Sequence, residues 1–207
     1  MSFLTSDLAK KPHLIGLTGN IGSGKSTAAR FFEAEGIPSI SSDAIVHKLY
    51  NSDKDLQEFL IKEYGSLDRK IIAGQIFGEK EEQKIKRRLL EEEVHPLVEE
   101  KLKEWVKENA NSPILVNDVP LLFEAHLEKR FNSIVFIQVD KSVQIKRLKK
   151  RNPEMSEEDI LNRINSQMSQ EEKISKSDIV ISNNSSLQEF RAKILNVIQN
   201  LVNQNKK

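Results

Sequence analysis

Residues Gly19-Asn20-Ile21-Gly22-Ser23-Gly24-Lys25-Ser26 fit the pattern G-x-x-x-x-G-K-[ST] at every specified position. Such a run can hold a string of phosphates. Glycines let the backbone bend until successive N–H groups converge on one anion. A helix that begins behind the loop adds partial positive charge in the same direction. In that arrangement Lys25 reaches the outer phosphates and the Ser26 hydroxyl ligates Mg²⁺.

Other residues have types and positions that fit phosphoryl chemistry. Asp43, Asp118 and Asp140 each follow a stretch that reads as a strand. Asp43 is the best general base for an acceptor hydroxyl, and N-cap of the following helix is the competing reading. Asp118 reads either as a Mg²⁺ carboxylate at a strand end or as a turn residue before Pro120. Gln144, Arg147 and Arg151 fall at i, i+3 and i+7, so one helix face presents both arginines. Planar guanidinium suits the oxygens of a transferring phosphate, and a basic surface helix is the alternative. His95 reads as structural, since a lone histidine is more often a packed or surface residue than a catalyst. Asn183-Asn184 reads as a turn or as a reader of an adenine edge.

These groups need elements to position them. Residues 13–17 read as a buried strand before the loop, and 27–35 as a helix stopped by Gly36. A second strand over 37–40 carries Pro38, which suggests an edge or a strand start. Helices follow from 44 and over 54–64. Residues 65–112 read as a helical insertion, with Pro96 interrupting its long run or starting a new helix. Strands are expected at 113–118, 133–140 and 178–181, with helices at 142–151, from Ser156 onward and over 187–202. Strands alternating with helices predict a three-layer α/β/α fold around a parallel five-stranded sheet. Ligands bind beyond the carboxyl ends of such strands.

The 207 residues suffice for one α/β domain with insertions. With 32 Lys+Arg against 31 Asp+Glu there is no global electrostatic case for nucleic acid or a membrane surface. The absence of cysteine excludes disulfides and thiolate chemistry. The four histidines lack metal-ligand spacing. No apolar run approaches the roughly 20 residues that span a bilayer. Residues 1–11 read as a flexible leader, not a signal peptide, and the expected location is the cytoplasm.

Together these motifs resemble the dephospho-coenzyme A kinase family over about residues 14–200. The resemblance rests on the phosphate loop, Asp43 with Ala44-Ile45-Val46, Leu67-Asp68-Arg69 with Ile76-Phe77, and His95-Pro96-Leu97. It continues through Pro120-Leu121-Leu122-Phe123-Glu124, 144–151, Arg163 with Gln167, and 178–183. It implies a P-loop core at about 12–60, 113–143 and 176–203, a helical substrate region at about 61–112 and a lid at about 144–175. It implies that ATP, with Mg²⁺ on Ser26, phosphorylates the ribose 3′-hydroxyl of dephospho-CoA. Asp43, Lys25 and Arg151 would be catalytic. Gly22, Ser23, Gly24, Lys25, Ser26, Thr27 and Asn183 would bind ATP, and Asp43, His95, Leu121 and Glu124 the acceptor. Ser41-Ser42-Asp43 departs from the family's frequent Asp-Ala-Asp, and His47 stands where an arginine is usual. The alternatives are another P-loop small-molecule kinase, such as a nucleoside monophosphate kinase, or an ATP-binding module with little turnover. A GTPase would need an Asn-Lys-x-Asp signature, and Val139-Asp140-Lys141-Ser142 lacks it.

Overall fold

The computed structural model describes residues 11–78 and 80–205. Apart from Lys11, the expected leader lies outside the described residues. Within them the chain runs β1 (His13–Thr18), α1 (Lys25–Ala34), β2 (Ser39–Ser41), α2 (Ser42–Ser52), α3 (Lys54–Tyr64), α4 (Arg69–Ile76) and α5 (Glu81–Glu108). It continues through β3 (Ile114–Asp118), a 3-10 turn (Glu128–Arg130), β4 (Ser133–Gln138), α6 (Lys141–Arg151), α7 (Glu157–Asn165), α8 (Gln170–Ser175), β5 (Ile179–Ser182) and α9 (Leu187–Asn205). Two compact units result: one takes the described residues through Ile40 and from Asn109 onward, the other Ser41–Glu108.

The first unit is built on a five-stranded sheet in the order β2-β3-β1-β4-β5. β1 pairs in parallel with β3 and β4, and β4 pairs in parallel with β5. Parallel strands covered on both faces read as continuous apolar runs, and β3 and β4 do so. On one face, Ile15, Leu17, Val116, Val135 and Ile137 pack against Phe32 of α1 and Phe190, Ile194 and Ile198 of α9. The other face is covered by the segment after β3, where Val119, Leu122 and Phe123 meet Ile134. That segment comes so close that a Cβ on Gly16 would lie 2.7 Å from the Leu122 side chain. Pro38 precedes the edge strand β2, where its missing N–H costs no ladder bond, and its carbonyl accepts from Val116.

The second unit is helical. α5 packs against α2 and α4, and α3 against α2. Its start at Ser41 differs from the expected boundary near 61, because α2 and α3 bury Ile45, Leu49, Leu56 and Leu60 within it. The expected break at Pro96 is absent: α5 runs unbroken from Glu81 to Glu108. Proline costs one backbone bond to the carbonyl four residues earlier, and here both Pro96 and Glu92 are exposed, so water can take that carbonyl. Residues beyond Asn165 also depart from expectation. Met168 leaves the α7 helix to join the Leu122 cluster, and a capping box at Ser169 and Glu172 starts α8.

Near the start of β1, His13 Nε2 lies 2.7 Å from Ser133 Oγ. Burial lowers its pKa below the ordinary 6.5, against an opposing pull from the Asp178 carboxylate. The folded state therefore takes up this proton less readily than the unfolded chain. The contribution is complete above the unfolded value and is lost as pH falls through 6.5 toward the folded value. The thermal midpoint should fall on acidification across that window, and His13→Gln should remove part of the fall. Parallel pH profiles for the two proteins would exclude His13 as the source.

Candidate functional site

The candidate site is the turn joining β1 to α1. Gly22 and Gly24 take φ of 78° and 92°, a region that disfavours any side chain. Gly24 is also the α1 N-cap and brings no capping side chain. The helix therefore leaves its first N–H groups to something other than a cap. The Ser23 N–H turns inward to Asn20 O at 3.0 Å, whereas Gly22, Gly24 and Ser26 donate to no backbone acceptor among the described residues. N–H groups left over at a glycine turn, with a helix dipole behind them, form an anion-binding cradle.

Lys25 projects from this turn and forms an ion pair with Asp118 at the end of β3. Both side chains are nearly buried, at 12% and 9% exposure. The strand pairing makes this contact possible, since Leu17 stands opposite Asp118 in the β1–β3 register. Asp118 is therefore the partner of the loop lysine, and its turn reading is not needed. The Ser26 hydroxyl is on the exposed first turn of α1. Thr27 follows it and is tied through its N–H to Gly24 O at 2.9 Å.

The outside of the loop is held by side chains from distant segments. Gln144 Nε2 donates to Ile21 O at 2.6 Å, and Gln167 Oε1 accepts from Ile21 N at 2.7 Å. Asn20 Nδ2 donates to Met168 O at 3.1 Å. Arg147 reaches Ser23 O at 3.3 Å and Asn183 O at 3.0 Å. Asn183 Nδ2 donates to Ser23 O at 2.7 Å, and a Cβ on Gly24 would lie 2.3 Å from that nitrogen. The adenine-edge expectation for Asn183 thus meets a competing use: the buried amide is engaged inside the protein, as a brace for the loop.

The remaining expected residues fall in different places. Arg151, on the same α6 face as Gln144 and Arg147, is exposed at the last turn of the helix. Leu121 is 45% exposed, next to the fully buried Leu122. Glu124, expected to touch substrate, pairs instead with the fully buried Lys173 at 2.7 Å and accepts from Met168 N at 3.1 Å. Asp43 and His95 belong to the helical unit and are exposed. Ser41, not Asp43, caps α2: its side chain accepts from Ala44 N at 3.4 Å. Asp43 sits in the first turn without that duty, so the N-cap reading is withdrawn.

Sequence reasoning missed the part played by Gln144, Gln167 and Lys173. The first two stood in segments already singled out, with a side-chain type that can both donate and accept. Lys173 gave no signal, because it follows two glutamates in what reads as a solvated helix.

Nucleotide-binding proteins of the P-loop class are built this way, with the phosphate turn at the carboxyl end of a central parallel strand and a carboxylate at the end of its neighbour. The chain belongs to the dephospho-CoA kinase family, whose sequence profile matches residues 13–189. A dephospho-CoA kinase of Listeria innocua is 35% identical over 199 residues, covering 91% of this chain and 97% of that protein. A crystallised Thermus thermophilus protein superposes with a TM-score of 0.80 at 31% identity, over 93% of this chain and 99% of its own. The dephospho-CoA kinase of Campylobacter jejuni superposes with a TM-score of 0.60 at 27% identity, over 93% and 98%.

The Glu124–Lys173 pair separates a structural role from a substrate contact. Glu124→Gln should leave the Lys173 ammonium buried without its counter-charge and lower stability by roughly 3 kcal/mol, whereas Glu124→Gln with Lys173→Met should recover most of the loss. Denaturant midpoints for the three proteins check this. An unchanged midpoint with a raised KM for the acceptor would instead return Glu124 to substrate binding.

Proposed function

We propose that this protein transfers the γ-phosphoryl group of ATP to the ribose 3′-hydroxyl of dephospho-CoA, giving coenzyme A and ADP in the last step of coenzyme A synthesis. The observation that carries the reading is the phosphate turn with its unspent N–H groups and its buried Lys25–Asp118 pair, in a chain of this family. The turn suits the phosphates of ATP. Gly22, Ser23 and Gly24 line it, Lys25 reaches the outer phosphates, and Ser26 and Thr27 begin the helix behind it.

No group of three or more His, Cys, Asp or Glu able to hold a metal ion exists among the described residues. That fits magnesium, which keeps several waters and takes much of its shell from substrate phosphates. Ser26 Oγ would be its protein ligand, with Asp118 close to the same turn. When bound, the ion offsets charge on the phosphate oxygens.

In the transfer, the acceptor oxygen forms the new bond to phosphorus, the bridging bond to the β-phosphate breaks, and ADP leaves. Asp43 takes the proton of the hydroxyl; its carboxylate is exposed, and the helix cap is supplied by Ser41. Arg151, at the end of α6 in the proposed lid of 144–175, would meet the charge of the transferring group. His95 and Leu121 would contact the acceptor. The helical unit presents apolar surface at Leu67, Ile71 and Phe77, exposed by 41%, 53% and 62%, which suits a substrate with an aromatic base and a long pantetheine arm. Among the described residues no helix is long and apolar enough to cross a membrane.

The test is ADP release from Mg²⁺-ATP with dephospho-CoA, the product being checked for one added phosphate at the 3′ position. Turnover with dephospho-CoA and none with AMP is the expected result. Turnover with AMP alone would establish a nucleoside monophosphate kinase instead. Asp43→Asn should bind ATP normally and lose turnover by roughly two to four orders of magnitude. Near-normal turnover of that variant would remove Asp43 from the chemistry.

A further inference from the structure

We propose that Gln144 and Gln167 are positioning residues that set the ATP affinity of the phosphate turn by clamping, on its outer side, the two peptide groups that meet at Ile21. The proposal rests on the turn being the ATP site. The peptide groups of Ile21 are held on both sides. Its carbonyl accepts from Gln144 Nε2 at 2.6 Å, and its N–H donates to Gln167 Oε1 at 2.7 Å. The orientation of each amide is fixed by its partner, because a backbone carbonyl only accepts and a backbone N–H only donates. Ile21 immediately precedes Gly22, which takes φ of 78° and leaves its own N–H unspent.

The two glutamines come from separate elements. Gln144 is on α6 and 1% exposed, while Gln167 lies between α7 and α8. The Gln167 bond orients the Asn20–Ile21 peptide, and the Gln144 bond orients the Ile21–Gly22 peptide, whose Gly22 N–H points opposite to the Ile21 carbonyl. With the clamp made, the Ile21 N–H points away from the anion, and the Gly22 N–H stands in its place. Asn20, Gln144 and Gln167 also line a cavity of about 300 Å³, so neither glutamine is locked in place by packing on all sides. The Ile21 side chain rests on Leu148, Ile160 and Ile164, while the hydrogen bonds at its backbone come from the two glutamines.

The two positions respond oppositely to one chemical change. Glutamate keeps the acceptor needed at 167 and loses the donor needed at 144. Both substitutions add one negative charge on the same side of the loop, so the difference between them reports the hydrogen bond and not the charge. Gln144→Glu should raise the KM for ATP about tenfold or more above that of Gln167→Glu, the size of effect expected when a buried carbonyl loses its donor. Gln167→Leu should weaken ATP binding, and Gln167→Glu should restore most of it. In each case kcat should change by less than about threefold, since the clamp serves ground state and transition state alike.

The experiment measures KM for ATP, kcat and the thermal midpoint of all three variants, with ATP binding by calorimetry beside them. Equal KM values for Gln144→Glu and Gln167→Glu, or lowered midpoints with unchanged KM, would overturn the clamp and leave a packing role. If Gln144→Glu does not fold, Gln144→Lys keeps a donor and should outperform Gln144→Met in ATP binding; equality of those two would also overturn it. Calorimetry tests the clamp even if wild-type protein fails to phosphorylate dephospho-CoA, a failure that would instead refute the acceptor assignment.

Discussion

A loop that offers its backbone N–H groups to an anion cannot also use them to hold its own shape. This conflict governs the carboxyl edge of the sheet. Secondary structure satisfies backbone groups by pairing them with each other, but the N–H groups of Gly22, Gly24 and Ser26 have no backbone acceptor among the described residues. The turn must be held by its remaining groups. Its carbonyls at Ile21, Gly22 and Ser23 are taken by Gln144, Arg147 and Asn183, and its single outward N–H at Ile21 by Gln167. Helix α6, the link between α7 and α8, and the residue after β5 thus support a turn more than a hundred residues earlier in the chain.

The same device recurs around the edge. Gln170 pairs both its amide ends with Val139, at 3.1 Å to the N–H and 2.8 Å to the carbonyl, continuing the strand with a side chain. Asn184 does likewise with Asp140, accepting from its N–H and donating to its carboxylate, both at 2.7 Å. Beneath α8, Lys173 is buried with Glu124 as its counter-charge, and that carboxylate also holds the Met168 N–H. Since Met168 O accepts from Asn20, the pair is linked to the phosphate turn through one residue. Removing one partner of a buried pair costs far more than the pair itself contributes, so such a link resists piecemeal change.

In the helical unit, a departure from the family's usual sequence becomes intelligible. Where an aspartate is frequent, Ser41 supplies the α2 cap through its hydroxyl, a service serine performs about as well as aspartate. The carboxylate that remains, on Asp43, is spared for the proposed chemistry. Asp68 similarly caps α4, and Arg69 next to it lies over the Tyr50 ring at 5.7 Å, so those residues of the family resemblance also serve the unit's own structure.

The local grammar of the chain was legible in its residues. The phosphate turn, the parallel strands, the helix caps at Ser156 and the family all follow from spacing and residue type, because a G-x-x-x-x-G-K-S turn flanked by an apolar strand and a helix has few physical uses. Pro96 misled because an exposed proline in a long, otherwise well-bonded helix removes only one hydrogen bond. The duties of single polar side chains were not legible. Gln144, Arg147 and Gln167 could have faced solvent or substrate. Asn183 could have read a base, and Glu124 could have touched the acceptor. Lys173 looked like surface. Only the strand order, which sets β3 and β4 on either side of β1, brings these residues to the turn and to one another. A hydrogen bond or a buried ion pair needs its partner within about 3 Å, and that proximity is a property of the folded chain rather than of spacing along it.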